Sequence, residues 1–270
     1  MIYVLFVKIN YHNKILSCFC KGLSVYNIQY KKYYDDIKIS EKDLIVTFGM
    51  GKNIGIGKIR KKVIKKFHSH ICIDKGYIDR NNYFSINING LNGRSENFAE
   101  KNDNLRFLKL GIKLGLNING ESVLLCGQVP TDASVLHINY ERWLYSTYNK
   151  LLKLSKFPIL YRPHPKYNKK YNIFGNISNN SLYEDLSKSR YVVSFNSNIC
   201  LDALIFGVQP ICFDEGCIVY DSCHHNLKVI NEQPILKQRI QQIYDITYRQ
   251  YSLKELEIGL FVPKVYNFLC

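Results

Sequence analysis

The sequence predicts an α/β fold in which parallel sheets are flanked by helices. In the second half of the chain, short apolar runs alternate with segments of helical spacing, as in Ser122–Cys126 before Trp143–Leu154. That alternation is typical of βαβ units, whose strands pair in parallel. The 270 residues are enough for two compact lobes, which we predict at 1–118 and 119–270.

The predicted elements follow one another along the chain as buried strands and helices. Apolar runs bounded by turn residues predict strands at Ile2–Val7, Leu44–Thr47, His70–Ile73, Tyr83–Asn89, Ser122–Cys126, Phe157–Tyr161, Tyr191–Phe195 and Val208–Phe213. Helical spacing of apolar residues predicts helices at 58–66, Trp143–Leu154, Leu182–Lys188, Ile199–Phe206, Ile235–Tyr248 and Leu253–Leu260. Residues 95–120 are polar and rich in Asn, which predicts loops and a linker.

The chain is basic, with 37 Lys and Arg against 22 Asp and Glu and a formal net charge of +15. Such a surplus favours polyanionic partners: nucleic acid, an anionic membrane face, acidic polysaccharide or nucleotide phosphates. A merely solvated basic surface is the alternative, because the charge is spread along the chain. The densest run, 58–66, has the spacing of a basic amphipathic helix, which leaves peripheral membrane contact open.

The nine cysteines show no regular framework, which argues against a disulfide-stapled secreted domain and favours a reducing compartment. The apolar start of the chain is short and lacks the basic flank of a signal peptide, so we expect a cytoplasmic protein, with attachment to the inner membrane face left open. Cys212, Cys217, Cys223 and the adjacent His224–His225 have neither of the usual zinc spacings. We therefore predict no metal site and no cofactor.

A first polar cluster follows the strand Ser122–Cys126 directly. Gly127 allows close approach of a ligand to the backbone, and Gln128 brings a polar side chain to the strand end. Asp132 has the chemistry of a general base that deprotonates an acceptor hydroxyl. The alternative is a strand-to-helix turn in which Asp132 or Ser134 only caps the helix.

A second cluster, Tyr161-Arg-Pro-His-Pro165, follows the next strand. The two prolines stiffen the loop around His164, which can hydrogen-bond a phosphate or protonate a leaving group. Arg162 adds a planar cation suited to phosphate oxygens. A surface loop with an incidental His is the alternative.

A third cluster lies between the strand Tyr191–Phe195 and the helix Ile199–Phe206. Its members are short polar side chains suited to binding a phosphate at the start of a helix: Ser194, Asn196, Ser197 and Asn198. Simple capping of the helix is compatible with that role.

Three basic residues of the first half are weaker candidates for contacts with an acceptor or another anion. Lys52 ends a Gly-rich string that matches neither a Walker A loop nor G-x-G-x-x-G. Arg80 and Arg94 lie in the strings 75–80 and 90–94, where their charge would neutralise an anionic ligand.

The order of these motifs resembles a known family. A strand followed by Gly-Gln-Val-x-x-Asp-Ala-Ser, a strand followed by Arg-Pro-His-Pro, an acidic helix, and Ser-x-Asn-Ser before a Leu-rich helix ending in Phe-Gly-Val-x-Pro occur over residues 122–214. This series is similar to bacterial capsular-polysaccharide Kdo transferases, related capsule synthesis and export proteins, and phage and marine-bacterial proteins with similar strings.

The resemblance implies two compact Rossmann-like lobes of the GT-B glycosyltransferase type, with the donor bound by the C-terminal lobe. It implies that His164 contacts the phosphate or cytidine of a CMP-sugar, that Ser197 and Asn198 face the nucleotide, and that Asp132 acts on the acceptor. It also implies activity without a metal ion. One departure is Thr131, which stands where the family has a second acidic residue.

Three functions are therefore considered. The leading hypothesis is a metal-independent glycosyltransferase that moves a Kdo-like sugar from a nucleotide donor, with CMP favoured, to a glycan or glycolipid of capsular type. The second changes the acceptor to modified bases in DNA, as the charge and the phage-like strings allow. The third is a non-catalytic protein of capsule export that binds a nucleotide-sugar or polysaccharide.

Overall fold

The computed structural model describes residues 1–33, 40, 42–49, 69–96, 101–117, 119–167, 174–236 and 238–269. The basic helix predicted at 58–66 and the candidate Lys52 lie outside these residues. The chain forms two compact units, Met1–Asp103 with Asp245–Cys270, and Asn104–Tyr244. Among the described helices, none has the length and apolar character that a membrane crossing requires.

The first unit is built on a six-stranded sheet in the order β10-β5-β4-β3-β1-β2. The strands are β1 (Ile2–Leu5), β2 (Tyr30–Tyr33), β3 (Leu44–Phe48), β4 (Ser69–Lys75), β5 (Tyr83–Ile88) and β10 (Gln250–Ser252). β2, β1, β3 and β4 pair in parallel, whereas β5 and β10 add an antiparallel edge. Because β1 and β3 are buried along their whole length, they read in the sequence as unbroken apolar runs.

Helices at both ends of the chain cover this sheet. They are α1 (Asn10–Val25), α7 (Leu253–Glu257) and α8 (Val262–Leu269). The rings of Phe19 and Phe261 stack at 4.5 Å between centroids within one buried cluster. The C-terminal segment therefore completes the core of the first unit.

The second unit has a four-stranded parallel sheet in the order β7-β6-β8-β9. Its strands are β6 (Ser122–Cys126), β7 (Ile159–Arg162), β8 (Ser189–Ser194) and β9 (Gln209–Cys212). Its helices are α2 (Leu105–Lys109), α3 (Tyr140–Leu154), α4 (Leu182–Lys188) and α5 (Ile199–Phe206), and α6 (Arg239–Thr247) leads back to the first unit. One buried cluster on each face of the sheet shows that helices or loops pack on both faces.

The two parallel cores share one strand order. In each unit the second strand lies outside the first, and the third and fourth follow on the other side, which is the 2-1-3-4 order of a doubly wound sheet. This confirms the predicted α/β fold class, with parallel sheets flanked by helices in both units.

The structure differs from the predictions in both units. In the first unit it contains helix α1 and strand β2, which were not predicted. The lobes predicted at 1–118 and 119–270 place the C-terminal helices with the second sheet, whereas β10 pairs with β5 of the first. Strand β10 has only three residues, too few for a periodic signal. Residues 105–109, within the predicted linker, form the short helix α2.

Candidate active site at the carboxyl ends of the second sheet

The three predicted clusters of the second unit lie at one edge of its sheet. Gly127 follows β6, Pro163 follows β7 and Phe195 follows β8, and these strands are parallel, so their carboxyl ends share an edge. The strand order reverses between β6 and β8, which makes that gap the switch point where open α/β sheets bind ligands. The motifs thus occupy the position expected for a binding site.

The side chain of Gln128 connects the first and third clusters across the switch point. Its Nε2 donates to Oδ1 of Asn196 at 2.8 Å. Its Oε1 accepts from the backbone N–H of Asn196 at 3.1 Å and from Oγ of Ser194 at 3.2 Å. All three side chains are buried. Gln128 and Ser194 therefore connect the loop after β6 to the loop after β8. Any role they have in binding a sugar donor would be to position these loops.

Asn196 extends this network to two residues that the sequence analysis missed. Its Nδ2 donates to Oδ1 of Asp214 at 2.8 Å, and the other carboxylate oxygen of Asp214 lies 3.0 Å from Nε2 of His137. Asp214 is buried, whereas 45% of the His137 side chain is exposed. A solvent-facing imidazole oriented by a buried carboxylate is a general-base arrangement. Asp214 lies two residues after the end of β9, close to the carboxyl end of its strand like the other clusters, and that position was the available signal.

Asp132 lies in the loop between β6 and α3. Its Oδ1 accepts from the N–H and from the Oγ of Ser134, both at 3.0 Å. Oδ2 makes no hydrogen bond within the described part of the chain, and the residue is exposed to solvent. Oδ1 of the carboxylate is thus hydrogen-bonded within the loop, whereas Oδ2 is available to accept a hydrogen bond or a proton.

Arg162 forms an ion pair with a buried carboxylate. Its Nη1 lies 2.5 Å from Oδ2 of Asp185 and also donates to the carbonyl of Asn180. Asp185 is fully buried and accepts two more hydrogen bonds, from Oγ of Ser178 and from Nδ2 of Asn180. The guanidinium thus ties the Arg-Pro-His-Pro loop to α4, and its predicted contact with a phosphate stays a prediction.

His164 lies beside the first cluster. Its backbone nitrogen would be 3.3 Å from a Cβ at Gly127, and the N–H of Gly127 donates to the carbonyl of Arg162 at 2.8 Å. Nδ1 of His164 accepts from the N–H of Lys166 at 3.1 Å. The structure therefore brings the first two clusters together.

Serine hydroxyls accept hydrogen bonds from the backbone at the start of α5. Ser194 Oγ accepts from the N–H of Ser197, and Ser197 Oγ accepts from the N–H of Ile199 at 3.4 Å. Asn198 occupies the N-cap position. We expected exposed N–H groups here, but those of Ile199 and Cys200 are engaged locally. Contacts with a phosphate would thus fall mainly to the partly exposed Ser197 and Asn198 side chains.

The weaker basic candidates lie in the first unit. Arg80 is in the exposed turn before β5, and Arg94 is in the 3-10 turn Asn92–Arg94 that follows it. They flank opposite ends of this six-residue strand and do not form one cluster. Gly49, at a φ of 70°, begins the Gly-rich string directly after β3, at the switch point of the first sheet.

A cleft of about 660 Å³ is lined by α3, Phe213 and residues 225–228, and its volume is within the roughly 300–1,000 Å³ typical of ligand sites. The rings of Trp143 and Phe213 form its aromatic wall, and Arg142, Lys150 and Lys228 add positive charge. Trp143 also packs edge-on against Phe195, the residue before Asn196. The cleft thus offers aromatic and cationic groups next to the switch point.

One set of side chains has the composition of a metal centre. The Sγ atoms of Cys200, Cys217 and Cys223 lie within 4.8 Å of one another. The spacing analysis missed this set because Cys200 comes from α5, well before the other two in the chain.

A methyl group at Gly127 should destabilise the protein. An added Cβ would lie 2.6 Å from Oη of Tyr161, whose ring is buried and stacked on Phe174. We expect Gly127→Ala to cost about 1–3 kcal/mol of unfolding free energy, as overpacking does. The matched control is Gly175→Ala, where the nearest contact would be an ordinary 3.5 Å. Equal denaturation midpoints for the two variants would contradict the close approach.

Replacing Asn196 by Asp should break the network of the switch point. The variant keeps the acceptor for Gln128 but loses both donors and places a second carboxylate beside buried Asp214. We expect a loss of about 2–4 kcal/mol in urea unfolding, given the cost of unsatisfied buried polar and like-charged groups.

A charge swap provides the control for this effect. In the double variant Asn196→Asp with Asp214→Asn, position 214 supplies the amide donor and position 196 the carboxylate. The pair is again hydrogen-bonded, so the double variant should recover part of the lost stability. Additive losses in this cycle would show that the two side chains are not coupled.

Two sheets, each with a parallel core in the order 2-1-3-4, and polar side chains gathered at a switch point place the chain in the Rossmann-like class of α/β folds. Comparison with solved structures identifies proteins that have a similar fold. The chain is similar to Thermosulfurimonas dismutans KpsC, beta Kdo 2,7 transferase, with a TM-score of 0.61 and 16% identity over 97% of this chain and 99% of that one. It is also similar to T. dismutans KpsC, beta Kdo 2,4 transferase, with a TM-score of 0.61 and 11% identity over 93% and 92%.

These likenesses confirm the expected resemblance in fold to Kdo transferases of the capsule type. The coverage of both chains shows that both units take part in the match. No protein-family model matches the sequence, and no curated protein matches it either.

Proposed function

We propose that this protein is a glycosyltransferase that moves a Kdo-like sugar from CMP to a glycan or glycolipid acceptor of capsular type. The observation that carries the proposal is the convergence of the three motif clusters at the carboxyl edge of the second sheet, where Gln128 and Asn196 join the first cluster to the third. The Kdo-transferase fold of the chain supports the class of reaction. The phosphate of a CMP-sugar is anionic and the chain carries a formal net charge of +15, so the two attract each other.

The donor is assigned to the edge formed by β7, β6 and β8. In this proposal Nε2 of His164 and the side chains of Ser197 and Asn198 hold the phosphate of CMP. These groups stabilise the negative charge that develops on the leaving nucleotide, so the reaction takes no metal ion at the phosphate. Trp143 and Phe213 offer rings on which a pyrimidine base can stack.

The acceptor is assigned to the side of Asp132. Its free Oδ2 takes the proton of the acceptor hydroxyl while that oxygen bonds to the anomeric carbon of the sugar. The bond from the anomeric carbon to the phosphate oxygen breaks, and CMP leaves with the electron pair. Ser134 orients the carboxylate through two hydrogen bonds to Oδ1.

The function is tested by supplying the proposed donor and acceptor together. The full chain is incubated with CMP-Kdo and a capsular glycolipid, and released CMP and the mass of the acceptor are followed. We expect CMP release coupled to the addition of one sugar. Transfer only to duplex DNA with hydroxymethylated bases would show that the acceptor is DNA and not a glycan. Tight nucleotide binding without turnover on either acceptor would show that the protein is a non-catalytic binding protein of capsule export.

A further inference from the structure

Four cysteines from three segments of the second unit meet beside the candidate site. Cys200 lies in the first turn of α5, Cys212 is the last residue of β9, and Cys217 and Cys223 belong to the loop that follows. The sulfurs of Cys200, Cys217 and Cys223 are mutually within 4.8 Å. Cys212 is within hydrogen-bond reach of the Cys217 and Cys223 thiols. All four are free thiols.

This spacing suits a single tetrahedral ion. Zn²⁺ binds cysteine sulfur at about 2.3 Å, so four ligands on one ion lie roughly 3.8 Å apart. The three sulfurs already within 4.8 Å of one another reach that distance through small side-chain rotations, and Cys212 lies within hydrogen-bond reach of two of them. An iron–sulfur cluster, with several inorganic atoms between its ligands, requires wider spacing.

The surroundings of the thiols also favour metal ligation. Cys200, Cys212 and Cys217 are buried, and Cys223 is partly buried. Several cysteine sulfurs brought together away from solvent form the ligand set that structural zinc sites use.

The loop itself shows what such an ion would do. Residues 213–225 contain little regular structure beyond the 3-10 turn Tyr220–Ser222, yet Ile218 and Val219 are buried. The loop also carries Asp214, whose Oδ1 accepts from the N–H of Gly216 at 2.9 Å. Fixing this loop to α5 and β9 would fix the carboxylate that orients His137.

We propose that Cys200, Cys212, Cys217 and Cys223 bind one structural Zn²⁺ ion that clamps the loop 213–225 onto the second sheet. Four protein thiolates fill the tetrahedral coordination sphere, which leaves no open position for substrate. The site is therefore structural and independent of the proposed transfer reaction. We predicted no metal from the sequence because the spacing of Cys212, Cys217 and Cys223 is not C-x-x-C. Cys200 was not considered, since a whole strand separates it from Cys217 and Cys223.

The test is the metal content of the full chain, purified without a polyhistidine tag and measured by plasma mass spectrometry. We expect about one zinc per chain. Replacement by Co²⁺ should give the thiolate charge-transfer absorption and the visible bands of tetrahedral cobalt. Cys217→Ser and Cys223→Ser should each lose most of the zinc, whereas Cys18→Ser, which changes a cysteine of α1 in the first unit, should keep it.

Several results would overturn the site. These are protein with no bound metal that also gives no cobalt spectrum, disulfides among the four cysteines in peptide mass mapping, or iron with an iron–sulfur chromophore. Zinc retained at full stoichiometry in Cys223→Ser would also contradict it. The metal content of the wild type tests the site even if Cys217→Ser does not fold. It requires no sugar donor, so its outcome is separate from that of the transfer assay.

Discussion

Asp132→Asn should lower the rate of sugar transfer by about 10²–10⁴-fold, the usual contribution of a general base. Asparagine keeps an oxygen that can accept from Ser134, as Oδ1 does at 3.0 Å. It cannot take the proton of the acceptor hydroxyl. Because the side chain is exposed and its hydrogen bonds to described residues lie within its own loop, we expect the unfolding free energy and the affinity for CMP to stay close to those of the wild type. The measurement is turnover at saturating donor beside the Kd for CMP.

The matched controls separate Asp132 from the other candidate base. Asp221→Asn changes an exposed carboxylate outside the site and should leave turnover unchanged. His137→Ala removes the imidazole oriented by Asp214. If Asp132→Asn turns over normally while His137→Ala is inactive, the base assignment to Asp132 is wrong and the His137–Asp214 pair takes that role.

Asp185→Ala should be the most destabilising of the single substitutions considered. The carboxylate is fully buried and accepts hydrogen bonds from Arg162, Ser178 and Asn180. Removing one partner of a buried ion pair leaves an uncompensated charge and typically costs about 3–5 kcal/mol. We expect a loss of this size in chemical denaturation. The affinity for CMP should fall too, because Arg162 fixes the loop that carries His164.

Two companions identify the cause of this loss. Glu184→Ala alters the neighbouring exposed residue of the capping box and should cost no more than about 1 kcal/mol. The double variant Arg162→Met with Asp185→Leu removes both charges and should be much more stable than Asp185→Ala alone. A double variant as unstable as the single one would show that the ion pair is not the source of the effect.

The elements that could be predicted from sequence are those with an unbroken local signal. Strand β6 and the helices α4 and α5 match their predicted bounds. Buried parallel strands and short helices can be recognised from the pattern of neighbouring residues alone. The motif positions followed from them, since polar residues directly after parallel strands must share one edge.

The remaining features depend on contacts between distant parts of the chain. Asp214 joins the site through Asn196 and His137, neither of which is near it in sequence. Strand β10 is assigned to the first sheet only by its pairing with β5, 162 or more residues away in the chain. Cys200 joins the other thiols only because α5 packs beside β9. No local period or spacing records such proximity.

The central claim, that the second sheet binds the nucleotide of a CMP-sugar, is tested most directly by thermal unfolding with CMP, UDP, GDP, ADP and dTDP, on the wild type and on His164→Ala. A ligand at 100 times its Kd adds roughly 2.7 kcal/mol of stability. The account predicts stabilisation by CMP alone, lost in His164→Ala. Equal unfolding temperatures with and without every nucleotide, or a CMP effect that His164→Ala leaves intact, would contradict it.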